Sequence, residues 1–175
     1  MTKSKKTISL FFLLLFALLS TEVLSSNSII PLKVGNYWKF SASNGKTEYA
    51  RILEKKSFSG DKEWFKYREL TDDSIYFVRD SQAGQIEIDP ESHQVHLVLK
   101  YPVTEKTVYT QFGVETSVTP NIEVTVPAGT FKTYLYDFSV SHPEDPILVW
   151  IAPNIGLVKS SYEGVTYELV EFNIQ

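Results

Sequence analysis

The chain has no cysteine and only one methionine, and its eight glycines and eight prolines are scattered rather than grouped. Without thiols there is no disulfide, no thiolate metal site, no cysteine nucleophile and no thioether lipid anchor. The last exclusion bears on Leu18-Leu19-Ser20-Thr21, which has the form of a lipobox with threonine where the acylated cysteine would stand. No Walker loop, G-x-G-x-x-G, G-x-S-x-G elbow or H-E-x-x-H occurs. The common phosphate-cradling, serine-hydrolase and zinc-protease chemistries therefore have no motif here. Histidine is scarce, at three residues. His93 and His96 are three apart, which places them on opposite faces of an extended strand and prevents them from sharing a metal. His142 stands beside Pro143, Glu144 and Asp145 and reads as a solvated loop residue, since a site needs convergent partners. No metal or other cofactor is expected.

Helical periodicity is missing as well, except at the start of the chain. Lys3, Lys5 and Lys6 precede an apolar run from Ile8 to Leu19. That run is too short to span a bilayer and suits a signal peptide, although an uncleaved anchor is the competing reading. Val23 and Ser25 supply the residues needed at a cleavage site, so residues 1–25 are read as a signal-peptide helix and cleavage is expected after Ser25. Residues 26–175 are then one exported domain, periplasmic or secreted and not lipid-anchored. Removal of the three lysines and Glu22 takes the formal charge from −4 to −6. An acidic body disfavours nucleic acid and anionic membrane faces, so membrane contact is expected only during export.

What the chain has in abundance is alternation. Residues 26–31 read as a loose lead, and Tyr37–Ala42 as the first strand. Asn44-Gly45 then gives the strongest short hairpin signal, and Thr47–Lys56 returns. Further strands are predicted at Lys62–Thr71, Ile75–Arg79, Gln85–Asp89 (Ile86 and Ile88 inward), Gln94–Tyr101, Val108–Phe112 and Glu115–Thr119. Ile122–Val126 alternates cleanly, turns at Pro127-Ala128-Gly129 and returns as Phe131–Val140. Ile147–Ile151, Leu157–Tyr162 and Thr166–Ile174 complete the series. Several strands carry apolar residues on both faces, which fits a curved surface better than a flat sheet with one wet face. The expected fold is all-β: a single, mostly antiparallel curved sheet, half-barrel or sandwich. A faint echo, in which Pro31 precedes Trp38 by seven positions and Pro102 precedes Tyr109 by seven, hints at two related halves.

The segments PLKVGNYWKF (residues 31–40), VTVPAGTFKT (residues 124–133) and W-x-APN-x-GLVK (from Trp150) together resemble a signature of uncharacterised bacterial secreted and lipoprotein-type β domains. Asn154 stands where that signature usually has glycine, and asparagine tolerates positive φ. More loosely, the chain is similar to lipoprotein-carrier-like proteins, and the resemblance implies their curved antiparallel sheet. It implies no reaction.

Two residue classes are left to carry function. Carboxylates are plentiful, but nearly all fall at predicted turns, where aspartate satisfies local backbone N–H groups. Asp80–Glu87 superficially suggests a calcium loop, but its glycine is at the wrong offset and no flanking helices appear. Aromatics make up 14% of the chain. They can be core, or they can line an apolar cup through Trp38, Phe40, Trp64, Tyr134, Tyr136 and Trp150. The resulting expectation is a non-catalytic, envelope-associated binding module for a lipid, a small hydrophobic molecule or an envelope protein. The rivals are a hydrolase acting on an envelope polymer through loop carboxylates and an inhibitor-like partner pairing through a sheet edge.

Overall fold

Alternating β-branched and aromatic residues, broken about every ten residues by turn formers, give twelve strands and no helix among the described residues. The computed structural model describes residues 28–58, 62–70, 74–140, 143–144 and 146–175. The signal segment, Ser25 and His142 lie outside them. The strands are β1 (Tyr37–Ala42), β2 (Thr47–Ser57), β3 (Glu63–Arg68), β4 (Ile75–Ser81), β5 (Gly84–Ile88), β6 (Val95–Lys100), β7 (Thr107–Gln111), β8 (Val114–Val126), β9 (Gly129–Asp137), β10 (Leu148–Ala152), β11 (Gly156–Tyr162) and β12 (Val165–Asn173).

All pairs are antiparallel, and the order is β6-β5-β4-β3-β2-β1-β12-β11-β10-β9-β8-β7. Sequence neighbours pair throughout, except that β1 joins β12 while β6 and β7 approach each other without a ladder. The sheet thus curls into a nearly closed barrel with one seam. The seam divides two six-stranded meanders, and Trp38 and Tyr109, the aromatics of the sequence echo, stand on their opening strands β1 and β7.

A barrel of this many strands encloses more space than one layer of small side chains can fill. Large residues occupy part of it: Trp38, Phe40, Ile52, Tyr136, Val158 and Leu169 all point inward and are fully buried. The lead at residues 28–30 fills more. Expected to be loose, it is instead buried, with Ile29 and Ile30 packed into the main core. Two isoleucines in a polar lead gain more by plugging the barrel than by staying wet. Hydrogen bonds pin it in place, with the Ser28 hydroxyl donating to Ile30 O, Asn154 N to Ser28 O and Asn36 Nδ2 to Pro31 O.

Two of the segments singled out in the sequence, residues 31–40 and 150–159, meet in space. The Trp38 indole N–H donates to Ile155 O, and its ring lies on Gly156. A Cβ at Gly156 would come within 3.1 Å of the indole, and the φ of +99° is one that glycine adopts without strain. Asn154 holds φ at 63°, so the turn keeps its geometry without glycine, as expected. The predicted pair Glu115–Thr119 and Ile122–Val126 is one strand, β8. Pro120 cannot donate to a ladder, and a bulge between Thr119 and Ile122, with Asn121 at φ 64°, carries the chain past it.

On its outer surface the barrel differs from side to side. Cross-strand ion pairs join Lys39 to Glu171, Lys66 to Glu54 and Lys159 to Glu168. On β3–β6, Trp64, Phe77, Ile86 and Ile88 form a second apolar cluster separate from the core, with Phe58 and Leu97 packed against it. This cluster explains why those strands read as apolar on both faces.

Candidate functional site: a hollow beside the seam

β5 reads Gly-Gln-Ile-Glu-Ile, so alternation must send either the two isoleucines or the Gln–Glu pair inward. Ile86 and Ile88 turn outward, correcting the sequence expectation, because Trp64 and Phe77 offer them an apolar bed on that face. Gln85 and Glu87 consequently face the interior, where they meet open space rather than packed core. Register pairs Gln85 with Leu99 and Glu87 with His96, and a bulge between Gln85 and Ile86 lets both Val98 and Leu99 of β6 reach the main core. Gly84 makes this pairing possible, since a Cβ there would fall 1.9 Å from Leu99 O.

The space is a cavity of about 410 Å³, within the range of small-molecule sites. Tyr67, Tyr76 and Val78 form one wall, and Phe138, Val149, Ile151 and Leu157 form the other. Gln85, Glu87, Val98 and Leu99 come from beside the seam on one side, and Gln111 and Phe112 from beside it on the other. An adjoining hollow of about 310 Å³ shares Glu69, Tyr76, Phe138, Val149 and Leu157. A larger dent on the outer face, of about 650 Å³, is lined by Tyr37, Lys39 and Glu171, which already engage one another.

Polar groups in the hollow are few and unusual. The Glu87 carboxyl is pushed up to about 7, first by burial and then by the nearby Glu69 and Asp89. Burial, followed by Glu69, raises the Tyr67 phenol strongly. Gln85 is 3% exposed and its Nε2 has no hydrogen-bond partner, and the buried Oε1 of Gln111 is likewise unpaired. Such groups cost free energy until something satisfies them. No group of three or more histidines or carboxylates able to hold a metal exists among the described residues.

Side chains rather than a backbone ladder bridge the seam. The Tyr109 hydroxyl donates to Val98 O at 2.8 Å and the Tyr136 hydroxyl to Lys100 O at 2.9 Å. Beside the cavity, the His96 and Phe112 rings stand 4.5 Å apart across the seam, with Phe112 56% exposed.

None of the six aromatics singled out from sequence lines this cavity. Trp38 and Phe40 are core, and Tyr136 is core with its hydroxyl tied to β6. Tyr134 packs edge-on against Tyr101 at 5.1 Å. Trp64 belongs to the outer cluster under the Arg79 guanidinium, 4.8 Å from its ring. Trp150 lies 5.8 Å from the Lys159 ammonium, which is paired with Glu168. Sequence reasoning missed Gln85, Glu87 and Gln111. Their one available signal was polar alternation inside a strand whose apolar set had a second place to go. The aspartate reading fares differently: Asp89 Oδ1 accepts from Glu91 N and Ser92 N, so that residue does serve its turn.

No protein-family model and no curated protein sequence matches the chain. Two solved structures resemble it. One is a putative lipoprotein from Parabacteroides distasonis, 12% identical, with a TM-score of 0.48 over 84% of this chain and 99% of that one. The other is a putative exported protein with YmcC-like fold from Bacteroides fragilis, 14% identical, with a TM-score of 0.49 over the same shares. At such scores and identities the likeness carries no functional inference.

Proposed function

We propose that this protein is an exported, non-catalytic binding module that holds a small amphiphile in the hollow beside the β6–β7 seam. The observation that carries the reading is the cavity itself, mostly apolar and lined by a buried Gln85 whose Nε2 has no partner. A ligand with an apolar body and one polar end would satisfy both features. The seam is the entry route, because there the barrel is held by two tyrosine hydroxyls and a ring contact instead of a ladder. Export rests on the basic and apolar N-terminal segment. The cross-strand ion pairs on β1–β3, β11 and β12 support a water-exposed surface on that side of the barrel, since membrane-spanning barrels turn an apolar band outward.

Native mass spectrometry of protein purified from the exported fraction tests the reading. A co-purifying amphiphile is expected for the natural sequence and at clearly lower occupancy for Val149→Trp, which puts an indole at the wall the two hollows share. Equal ligand occupancy in Val149→Trp would overturn it.

One observation favours the hydrolase reading: Glu69 and Glu87 line a common cavity, and a carboxyl held near 7 suits a general acid. On that reading, incubation with envelope polysaccharide or peptide releases new chain ends, and Glu87→Gln lowers the rate by about 10²-fold or more. Absence of turnover across such polymers, with ligand still retained, rejects it.

A further inference from the structure

We infer that the hollow selects an organic cation: an amphiphile whose ammonium headgroup sits by the Glu87 carboxylate and the Tyr67 and Tyr76 rings. This rests on the binding reading above and names the chemical class of its ligand. Charge supplies the first argument. The Glu87 carboxylate lines the cavity, and no lysine or arginine lines the cavity or its adjoining hollow. An anionic headgroup would face like charge at a half-buried position, and a neutral one would leave Glu87 uncompensated once ionised. The second argument is shape and surface. Tyr67, Tyr76, Phe112 and Phe138 bring four aromatic residues to the cavity lining, and aromatic faces attract alkylammonium groups.

The third argument is the pattern of unmet hydrogen bonds. Gln111 Oε1 is an unpaired acceptor, which suits an N–H or a polarised C–H next to nitrogen. Gln85 Nε2 is an unpaired donor on a side chain only 3% exposed, so it asks the ligand for one acceptor, such as a hydroxyl or carbonyl oxygen near the cation. Val78, Val98, Leu99 and Leu157 then provide an apolar bed for the tail.

Calorimetric titration of the exported protein with three probes of equal chain length tests this: octyltrimethylammonium, octanol and octyl sulfate. At about pH 8 the cation is expected to bind about tenfold or more tightly than the alcohol, with the sulfate weakest. Glu87→Gln, which keeps side-chain shape, should bring the cation to within about threefold of the alcohol. Octanol or octyl sulfate binding as tightly as the cation would overturn the inference and leave the binding reading standing. So would a cation preference undiminished in Glu87→Gln. If none of the three probes binds, the binding reading fails, and this inference fails with it.

Discussion

Glu87 makes the hollow measurable through stability alone. An unfolded glutamate titrates near 4.5, whereas in the folded barrel burial and two neighbouring carboxylates raise it to about 7. Between those values the folded state keeps a proton that the unfolded chain has released, so stability falls as pH rises through the window. The full cost is present above about pH 7 and vanishes below about pH 4. Taken at face value the displacement corresponds to about 3 kcal/mol, but Glu87 is only half-buried, and solvent screening reduces it to about 1–2 kcal/mol. Glu87→Gln removes the charge with little change of shape. It should therefore stabilise the protein by about 1–2 kcal/mol at pH 8, raising Tm by about 3–6 °C, and change almost nothing at pH 4. Thermal melts of both proteins across that range, followed by circular dichroism, provide the assay. A gain of equal size at both ends would mean that side-chain packing rather than ionisation is involved. A loss at pH 8 would mean that the carboxylate is stabilised by a partner, and the account of the hollow would be wrong.

Gly84→Ala forces a methyl group against Leu99 O at a φ of +131° and should cost about 3 kcal/mol or more, read as a lower urea midpoint or loss of soluble protein. Trp38→Ala removes a fully buried indole and its hydrogen bond to Ile155 O, with an expected loss of about 3–5 kcal/mol by the same unfolding measurement. Tyr109→Phe deletes one tie across the seam and should cost about 1 kcal/mol, with faster amide exchange concentrated in β6 and β7. Uniform acceleration over the whole barrel would count against a seam that opens locally.

Residues whose surroundings are local were legible in the sequence. Tyr37–Ala42 is recovered to the residue, because Gly35-Asn36 and Asn44-Gly45 bracket a strict alternation. The turn at Asn154 follows from one residue's tolerance of positive φ. Residues whose environment depends on a distant strand were not. On β5 the sequence fixes only that Gln85 and Glu87 oppose Ile86 and Ile88. Which pair faces inward is decided by Trp64 and Phe77 on β3 and β4, which give the isoleucines a separate place to bury. The same ambiguity is why the six aromatics singled out from sequence lie away from the hollow. Large aromatics fill space, so in a wide barrel they mark where it is solid, as Trp38, Phe40 and Tyr136 do.

The candidate site is marked by what a packed core excludes, namely polar atoms on inward positions without partners, as at Gln85 Nε2 and Gln111 Oε1. Its location follows from connectivity. A meander that joined its last strand to its first in register, with every edge paired, would close completely. Here β1–β12 pairing closes the ring at the chain ends and leaves the break at mid-chain, between β6 and β7. Two edges facing each other would ordinarily pair. The chain instead bulges β6 opposite Gln85 and Ile86, and carbonyls Val98 O and Lys100 O accept from tyrosine hydroxyls rather than from β7 amides. A hydroxyl on a rotatable side chain can release and reform its bond without disturbing a ladder, so on the proposed entry route the seam would part while the other eleven strand pairings stay intact. The hollow, its polar lining and its weakest wall therefore coincide because the same six-plus-six division of the chain places all three there.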